Sequence, residues 1–348
     1  MRIGKREIGV GHEPYVIAEI GVNHDGDVGR ALMLTDAAAD AGADAVKVQY
    51  FETDRLMSAA AKLASYQKAA GETDPVAMLR RLELSIKELA RVVDRAHERG
   101  IHAIVTVFSV ELVGVAGTLA WDAYKSASPD IVNRPLLECV VGTGAPMIVS
   151  TGASTLGEVE RASGWLDAAR GRVAMLQCVS SYPAPDPALG GIGAIARATG
   201  LPVGYSDHTE SIETGARAVA RGACVLERHI THDTSAAGPD HAASLEPGDF
   251  ARYAALAKEA SVGDPDRGGE KRVLACEEDV RLVSRQSVVA ARAIPRGTPI
   301  TRGMLTIKRP GTGVLACEIG GVVGSIAARD IGADVPIVAE DLAVLERA

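Results

Sequence analysis

The chain has 348 residues, of which 47% are hydrophobic, 24% charged and 3% aromatic, with a net charge of −8. Such a chain can bury a large core without covalent staples. The acidic balance argues against a broad nucleic-acid-binding surface and requires any anionic ligand to be held by a local cluster of Lys, Arg and N–H groups. Five scattered cysteines without a Cys-x-x-Cys, a charged N-terminus and no span-length apolar run read as a cytoplasmic, non-membrane protein.

The first predicted strand is Tyr15 to Gly21, followed by a polar turn containing Asn23 and His24. A helix from Val28 to Ala41 ends at Gly42, and a second strand runs from Asp44 to Tyr50. Strand, helix and strand joined by short links form a parallel crossover. The unit repeats. A capping box at Ser85 and Glu88 opens a helix closed by Gly100, and Ile101 to Phe108 is the third strand. A helix over 111–119, a weak strand at 123–126 and a helix over 135–141 follow. Strand 146–150 comes next, and a capping box at Thr155 and Glu158 starts a helix to Arg170. Strand 173–179 precedes the pair Gly204 to Thr209 and Cys224 to His229, separated by a helix over 212–221. A last helix spans 247–260.

About eight βα units are expected of a (β/α)8 TIM barrel, with a doubly wound open sheet as the alternative. No Gly-x-Gly-x-x-Gly opens the first helix, which weakens that alternative. The barrel is assigned residues 1–262, a turn-rich linker 263–284, and a small β-rich domain 285–348. Short strands are expected there at 288–290, 322–323 and 336–338, among others.

Barrel active sites form at the C-terminal ends of the strands. Those ends carry Glu19, Lys47, Gln49, Lys125, Ser150, Ser180, Tyr182, Ser206, His208, Glu227 and His229. Alternate strand residues share a face, so Ser206 with His208, and Glu227 with His229, point the same way. Two imidazoles beside carboxylates make a divalent-metal site, or else two separately satisfied histidines. Lys47 and Lys125 interrupt strands that should be buried, and a buried lysine needs an anion. Each suits a Schiff base, a structural pair with a carboxylate such as Glu19, or, with the serines, a phosphate or carboxylate cradle. His232 and His241 read as polar loop residues.

The stretches Ala18 to Gly26, Val46 to Gln49, Ala123 to Lys125, Ser150 to Gly152, Tyr182-Pro183, Ser206 to His208, Glu227 to His229 and Gly238 to Asp240 occur together in one order. In these the chain resembles the N-acetylneuraminate (sialic acid) synthase family. Ala293 to Gly297 and Lys308 to Gly311 are similar to the antifreeze-like (SAF) domain those enzymes carry. The resemblance implies condensation of phosphoenolpyruvate with an N-acetylated hexose such as N-acetylmannosamine, plus water, to a nine-carbon 2-keto acid and phosphate. It implies that His208 and His229 bind the Mn2+ or Mg2+ ion. Lys47, Lys125, Ser150 and Ser206 would hold phosphoenolpyruvate, with Glu19 close by. Asn23, Gln49, Ser180, Tyr182 and Asp240 would join the substrate site. Arg309 would reach the sugar's N-acetyl group from the other subunit of a domain-swapped homodimer.

Three departures stand out. Asp130 follows Lys125 where the sialate enzymes commonly carry Glu, so its catalytic role in handling the water is in question. Ser180 stands where an Asn is frequent, and the loop 231–237 lacks a common basic residue. These changes suit a relative making legionaminate or pseudaminate from a 2,4-diacetamido-trideoxyhexose. A metal-dependent pyruvate aldolase is a further enzymatic alternative. A carbohydrate- or ice-binding module leaves the two strand lysines without a reason.

Overall fold

The computed structural model describes residues 1–265 and 268–343. Eight parallel strands close into a barrel: β1 Tyr15–Gly21, β2 Ala45–Tyr50, β3 His102–Val107, β4 Ala123–Ser126, β5 Met147–Ser150, β6 Val173–Cys178, β7 Val203–Asp207 and β8 Val225–His229. Neighbours follow chain order, and β8 returns to pair with β1, His229 lying opposite Glu19. The closed ring is the expected (β/α)8 barrel and excludes the open sheet.

The strands are near-continuous apolar runs because both faces are buried. Ile17, Ala45, Ile104, Ala123, Ile148, Leu176 and Val225 pack together inside the ring. Their alternates, such as Val16, Val46, Val105, Val149 and Met175, pack outward against the helices. In β7 the inside position is Gly204, where a Cβ would overlap the Val225 carbonyl and Leu176, so only glycine fits.

Both capping boxes form. Ser85 and Glu88 open the helix Ile86–Glu98, which buries Leu89, Val92, Val93 and Ala96 at helical spacing. Thr155 and Glu158 open Leu156–Trp165, which stops short of Arg170; a 3-10 turn, Asp167–Arg172, completes the stretch.

Between β2 and Ser85 the chain makes an excursion of three short helices, Thr53–Leu56, Ser65–Ala69 and Pro75–Arg81, that the periodicity did not reveal. Phe51, Leu56, Met57, Leu63, Met78, Leu79 and Leu82 of this excursion pack with Val22 and Phe108 over one side of the barrel mouth.

The tail pairs β9 Ser287–Ala290 with β10 Leu305–Lys308 and, separately, Ile326–Ala327 with Leu342–Ala343. It has its own apolar core, including Val288, Ile294, Ile300, Val322, Ile331 and Ile337. Two local expectations fail there: Val322 ends a short helix, Ile319–Val322, and Pro336 makes only an isolated bridge to Val289. Residues 344–348, assigned to the tail, and 266–267, assigned to the linker, lie outside the described residues.

The linker is not a loose connection. Its second half forms the 3-10 turn Ala275–Glu277 and the helix Glu278–Ser284. Glu158 on the barrel accepts hydrogen bonds from Arg281 at 2.8 Å and Arg285 at 2.7 and 3.0 Å. Burial opposes the Glu158 charge, but Arg285 and Arg281 hold its carboxyl far below the ordinary 4.5. A depressed carboxyl contributes stability at pH above its unfolded value and loses it as pH falls through the folded value. The melting temperature of the wild type is therefore expected to fall more steeply between pH 5 and lower pH than that of Glu158→Gln. At pH 7 that variant should be destabilised by at most about 3–5 kcal/mol. Equal acid sensitivity in the two proteins would deny the clamp any role.

Candidate active site

Period-two alternation stacks side chains inside the ring in layers. Two residues above the apolar layer stand Glu19, Lys47, Thr106, Lys125, Ser150, Cys178, Ser206 and Glu227, one from each strand, and all line a single cavity. The next positions up supply Gln49, Phe108, Ser180, His208 and His229 to its walls. Strand register sets Glu19 beside Lys47, and Ser206 between Glu227 and Cys178.

The charges in this layer are mutually compensated. Lys47 forms a close ion pair with Glu19, donates to Thr106 Oγ1 at 3.0 Å and lies 3.8 Å from Glu227. Lys125 Nζ donates to Ser150 Oγ at 2.6 Å and lies 3.5 Å from Glu227 Oε1, which also accepts from Ser206 Oγ at 2.8 Å. Burial works against a charged Glu227, but Lys125 and Lys47 hold its carboxyl well below the usual range. Burial raises Glu19 despite Lys47, and lowers Lys125 despite Glu227. Lys47 is thus committed to carboxylates, while Lys125 keeps serine and carbonyl partners that an anion can join or displace.

His208 and His229 face one another above this layer, ring centroids 5.5 Å apart. The His208 Nδ1 lies 2.8 Å from the Val179 carbonyl, which directs the other ring nitrogen into the cavity. His229 Nδ1 is buried without a hydrogen-bond partner, 3.9 Å from Asp240. Burial favours the neutral ring at both; at His208 the neighbouring Cys178 pulls the other way and raises it. Among the described residues no group of three or more His, Cys, Asp or Glu side chains is gathered for a metal. The fit to a divalent ion therefore rests on two imidazoles, one with an orphaned nitrogen, and leaves other coordination positions to substrate and water.

The residues between the histidine motifs have another task. Arg228 and Asp207, each buried, pair behind the sheet at 3.2 Å, with Arg228 over the Tyr253 ring. His241 is engaged by Thr231 and Asp25, outside the cavity.

Twelve of the expected site residues line this one cavity: Glu19, Lys47, Gln49, Lys125, Ser150, Ser180, Tyr182, Ser206, His208, His229, Asp240 and Arg309. The Tyr182 ring stands between His208, at 4.2 Å, and Tyr66, at 4.9 Å. Two residues are placed otherwise. Asn23 is a brace: its amide donates to the Ile230 carbonyl and Ser244 Oγ, tying the loop after β1 to the loop after β8. Asp130 lies in the buried 3-10 turn Ser128–Val132, off the cavity wall, within electrostatic reach of Arg309 and Lys125. Burial pushes its carboxyl up to about 7.

In the single chain described, Arg309 of the tail lines the cavity of its own barrel. Its backbone is sewn to the excursion, with Arg309 N donating to Leu56 O at 2.8 Å and Ser58 N donating to Arg309 O at 3.0 Å. The guanidinium lies over the Phe108 ring at 5.6 Å. Thr106 and Cys178 follow from the same alternation as the lysines; Tyr66 and Gln67 lie in the excursion and had no signal.

A family model for the NeuB family matches residues 34–263, and one for the SAF domain matches 285–343. The chain belongs to the NeuB family. The match covers most of the barrel and every strand of it after β1. The NeuB-family chain is 36% identical over 326 residues to an N,N'-diacetyllegionaminic acid synthase of Campylobacter jejuni, covering 92% of this chain and 97% of the relative. Among solved structures it is similar to the spore coat polysaccharide biosynthesis protein SpsE of Bacillus subtilis, with TM-score 0.83, 27% identity and 99% of each chain covered. It is also similar to an N-acetylneuraminic acid synthetase of Leptospira borgpetersenii, with TM-score 0.67 and 30% identity, over 80% of this chain and 94% of the other.

Proposed function

We propose that this NeuB-family enzyme condenses phosphoenolpyruvate with an N-acetylated amino-hexose in its open-chain aldehyde form. A carbon–carbon bond forms between C3 of phosphoenolpyruvate and the aldehyde carbon. Water adds at C2, the C2–oxygen bond to phosphorus breaks, and a nine-carbon 2-keto acid and phosphate leave. The observation that carries the reading is the buried layer of Lys125, Ser150 and Ser206 beneath two facing imidazoles.

In this reading Lys125 and Ser150 hold the anionic groups of phosphoenolpyruvate, with Ser180 and Ser206 completing the cradle. Glu19 and Glu227 keep Lys47 oriented and supply negative potential where cationic character develops at C2. His208 and His229 would hold a divalent ion, which supplies Lewis-acid polarisation of the aldehyde. Gln49, Tyr182 and Asp240 flank the sugar, and Arg309 donates to its N-acetyl carbonyl. Asp130, titrating near neutrality behind Ser128, is a reserve for the proton that the attacking water gives up. Fixing both substrates in one enclosed site supplies the proximity term.

A finer choice of sugar has one observation in its favour. Val22, Phe51, Leu56, Met78, Leu79, Leu82 and Phe108 form a continuous apolar wall of the cavity, with Arg309 at its edge. That wall favours a 6-deoxy 2,4-diacetamido sugar, in line with the legionaminic acid synthase relative, over a hexose carrying a phosphate there. The test is to supply phosphoenolpyruvate and Mn2+ with N-acetylmannosamine, its 6-phosphate, or a 2,4-diacetamido-2,4,6-trideoxyhexose, and to follow phosphate and 2-keto acid. The trideoxy sugar is expected to give the highest kcat/KM. Product from free pyruvate in place of phosphoenolpyruvate would indicate an aldolase instead.

A further inference from the structure

The stretch between the two family matches, 264–284, falls in neither model. It nevertheless holds a carboxylate against the candidate cradle. Glu277, 0% exposed, accepts from the backbone N–H of Ala153 at 2.6 Å and of Ser180 at 2.7 Å through one oxygen. Its other oxygen accepts from its own Leu274 N–H at 2.9 Å. Ala153 and Ser180 belong to the loops that follow β5 and β6, the strands that bring Ser150 and Cys178 to the cavity.

We propose that Glu277 is a positioning residue for the anion cradle, fixing the loops after β5 and β6 relative to one another. Four observations support this. Ala153 holds a left-handed backbone, φ 51°, which a residue with a Cβ keeps only where its surroundings impose it. Its carbonyl is gripped from the same side by Arg281 at 2.6 Å and Arg285 at 3.2 Å. The neighbouring Gly152 lets the two loops close: a Cβ there would overlap Ser180 Oγ and stand 2.7 Å from Ser128 Oγ. Finally, Lys271, also of the linker and buried, has no hydrogen-bond partner for its ammonium, and Glu277 is the foremost of the charges that favour it. A carboxylate so close to an anion site costs repulsion, and here three N–H donors and a buried ammonium offset it. With these N–H groups bound to Glu277, Ser180 of the loop after β6 stands at the cavity wall, next to the strand end that carries Ser150.

This inference rests on the phosphoenolpyruvate reading, and the test separates the two. Hydrogen exchange of the full chain is followed by mass spectrometry over 148–156 and 177–183, with and without phosphoenolpyruvate, for wild type and Glu277→Gln, beside steady-state kinetics. Phosphoenolpyruvate is expected to slow exchange at both segments in the wild type. Glu277→Gln is expected to speed exchange there in the free protein and to raise KM for phosphoenolpyruvate about tenfold or more. KM for the sugar should change by less than about twofold, a split that general destabilisation does not produce. Glu277→Asp keeps the charge but is too short to span both loops, so it should fall between; should Glu277→Gln not fold, it carries the same comparison. Protection in the wild type with unchanged KM in the variants, or equal rises for both substrates, would overturn the positioning role. No protection in the wild type would fail the phosphoenolpyruvate reading first and this inference with it.

Discussion

Lys125→Ala is expected to weaken phosphoenolpyruvate binding by about 30- to 4000-fold, the range that follows from removing one member of a desolvated charge pair. The two strand lysines read alike in the sequence, but their surroundings differ. Lys47 lies against Glu19 and near Glu227, so its charge is already answered. Lys125 donates to the Ser150 hydroxyl and the Ser126 carbonyl, with Glu227 at 3.5 Å as its one carboxylate within ion-pair distance among the described residues. An anion at Lys125 therefore displaces serine and carbonyl partners and faces one neighbouring carboxylate, whereas at Lys47 it competes with two. Calorimetric titration of phosphoenolpyruvate into wild type and Lys125→Ala measures the difference. Unchanged affinity would remove Lys125 from the cradle.

His208→Ala and His229→Ala are each expected to lower metal-dependent turnover by about a thousandfold or more, the scale of several kcal/mol of Lewis-acid assistance. Both rings lie at the strand ends, away from the apolar layers, so the melting temperature should change little. Chelation of the wild type should reproduce the same loss, reversed by Mn2+. The His208 variant also frees the Val179 carbonyl that holds the ring. Full metal-dependent activity in either variant would contradict the assignment of these imidazoles as ligands.

The barrel was legible because its signal is local and repeats. Each strand is an apolar run of four to seven residues, and two of the helices carry capping boxes at their first turns. The polar layer was legible for the same reason: in a strand, Lys47 and Lys125 two residues beyond Ala45 and Ala123 must share their inward face. Where the chain departs from periodicity, the sequence carries no such signal. The excursion after β2 is built of helices of four, five and seven residues, too short for a 3.6-residue pattern to declare itself. It therefore hid the apolar wall and Tyr66. Asn23 sits in a motif and has the chemistry of a ligand, yet its partners, Ile230 and Ser244, are more than two hundred residues away. Glu277 was equally hidden. A glutamate in a charged, turn-rich stretch reads as solvated, and only the packed loops at Ala153 and Ser180 reveal its task.

If the buried layer holds phosphoenolpyruvate for attack on an aldehyde, water adds at carbon rather than at phosphorus. Turnover in 18O-labelled water, with phosphate weighed by mass spectrometry, distinguishes the two. Unlabelled phosphate is expected, released one for one with 2-keto acid and only when both phosphoenolpyruvate and an acetamido sugar are present. Phosphate carrying 18O, or released without the sugar, would contradict it.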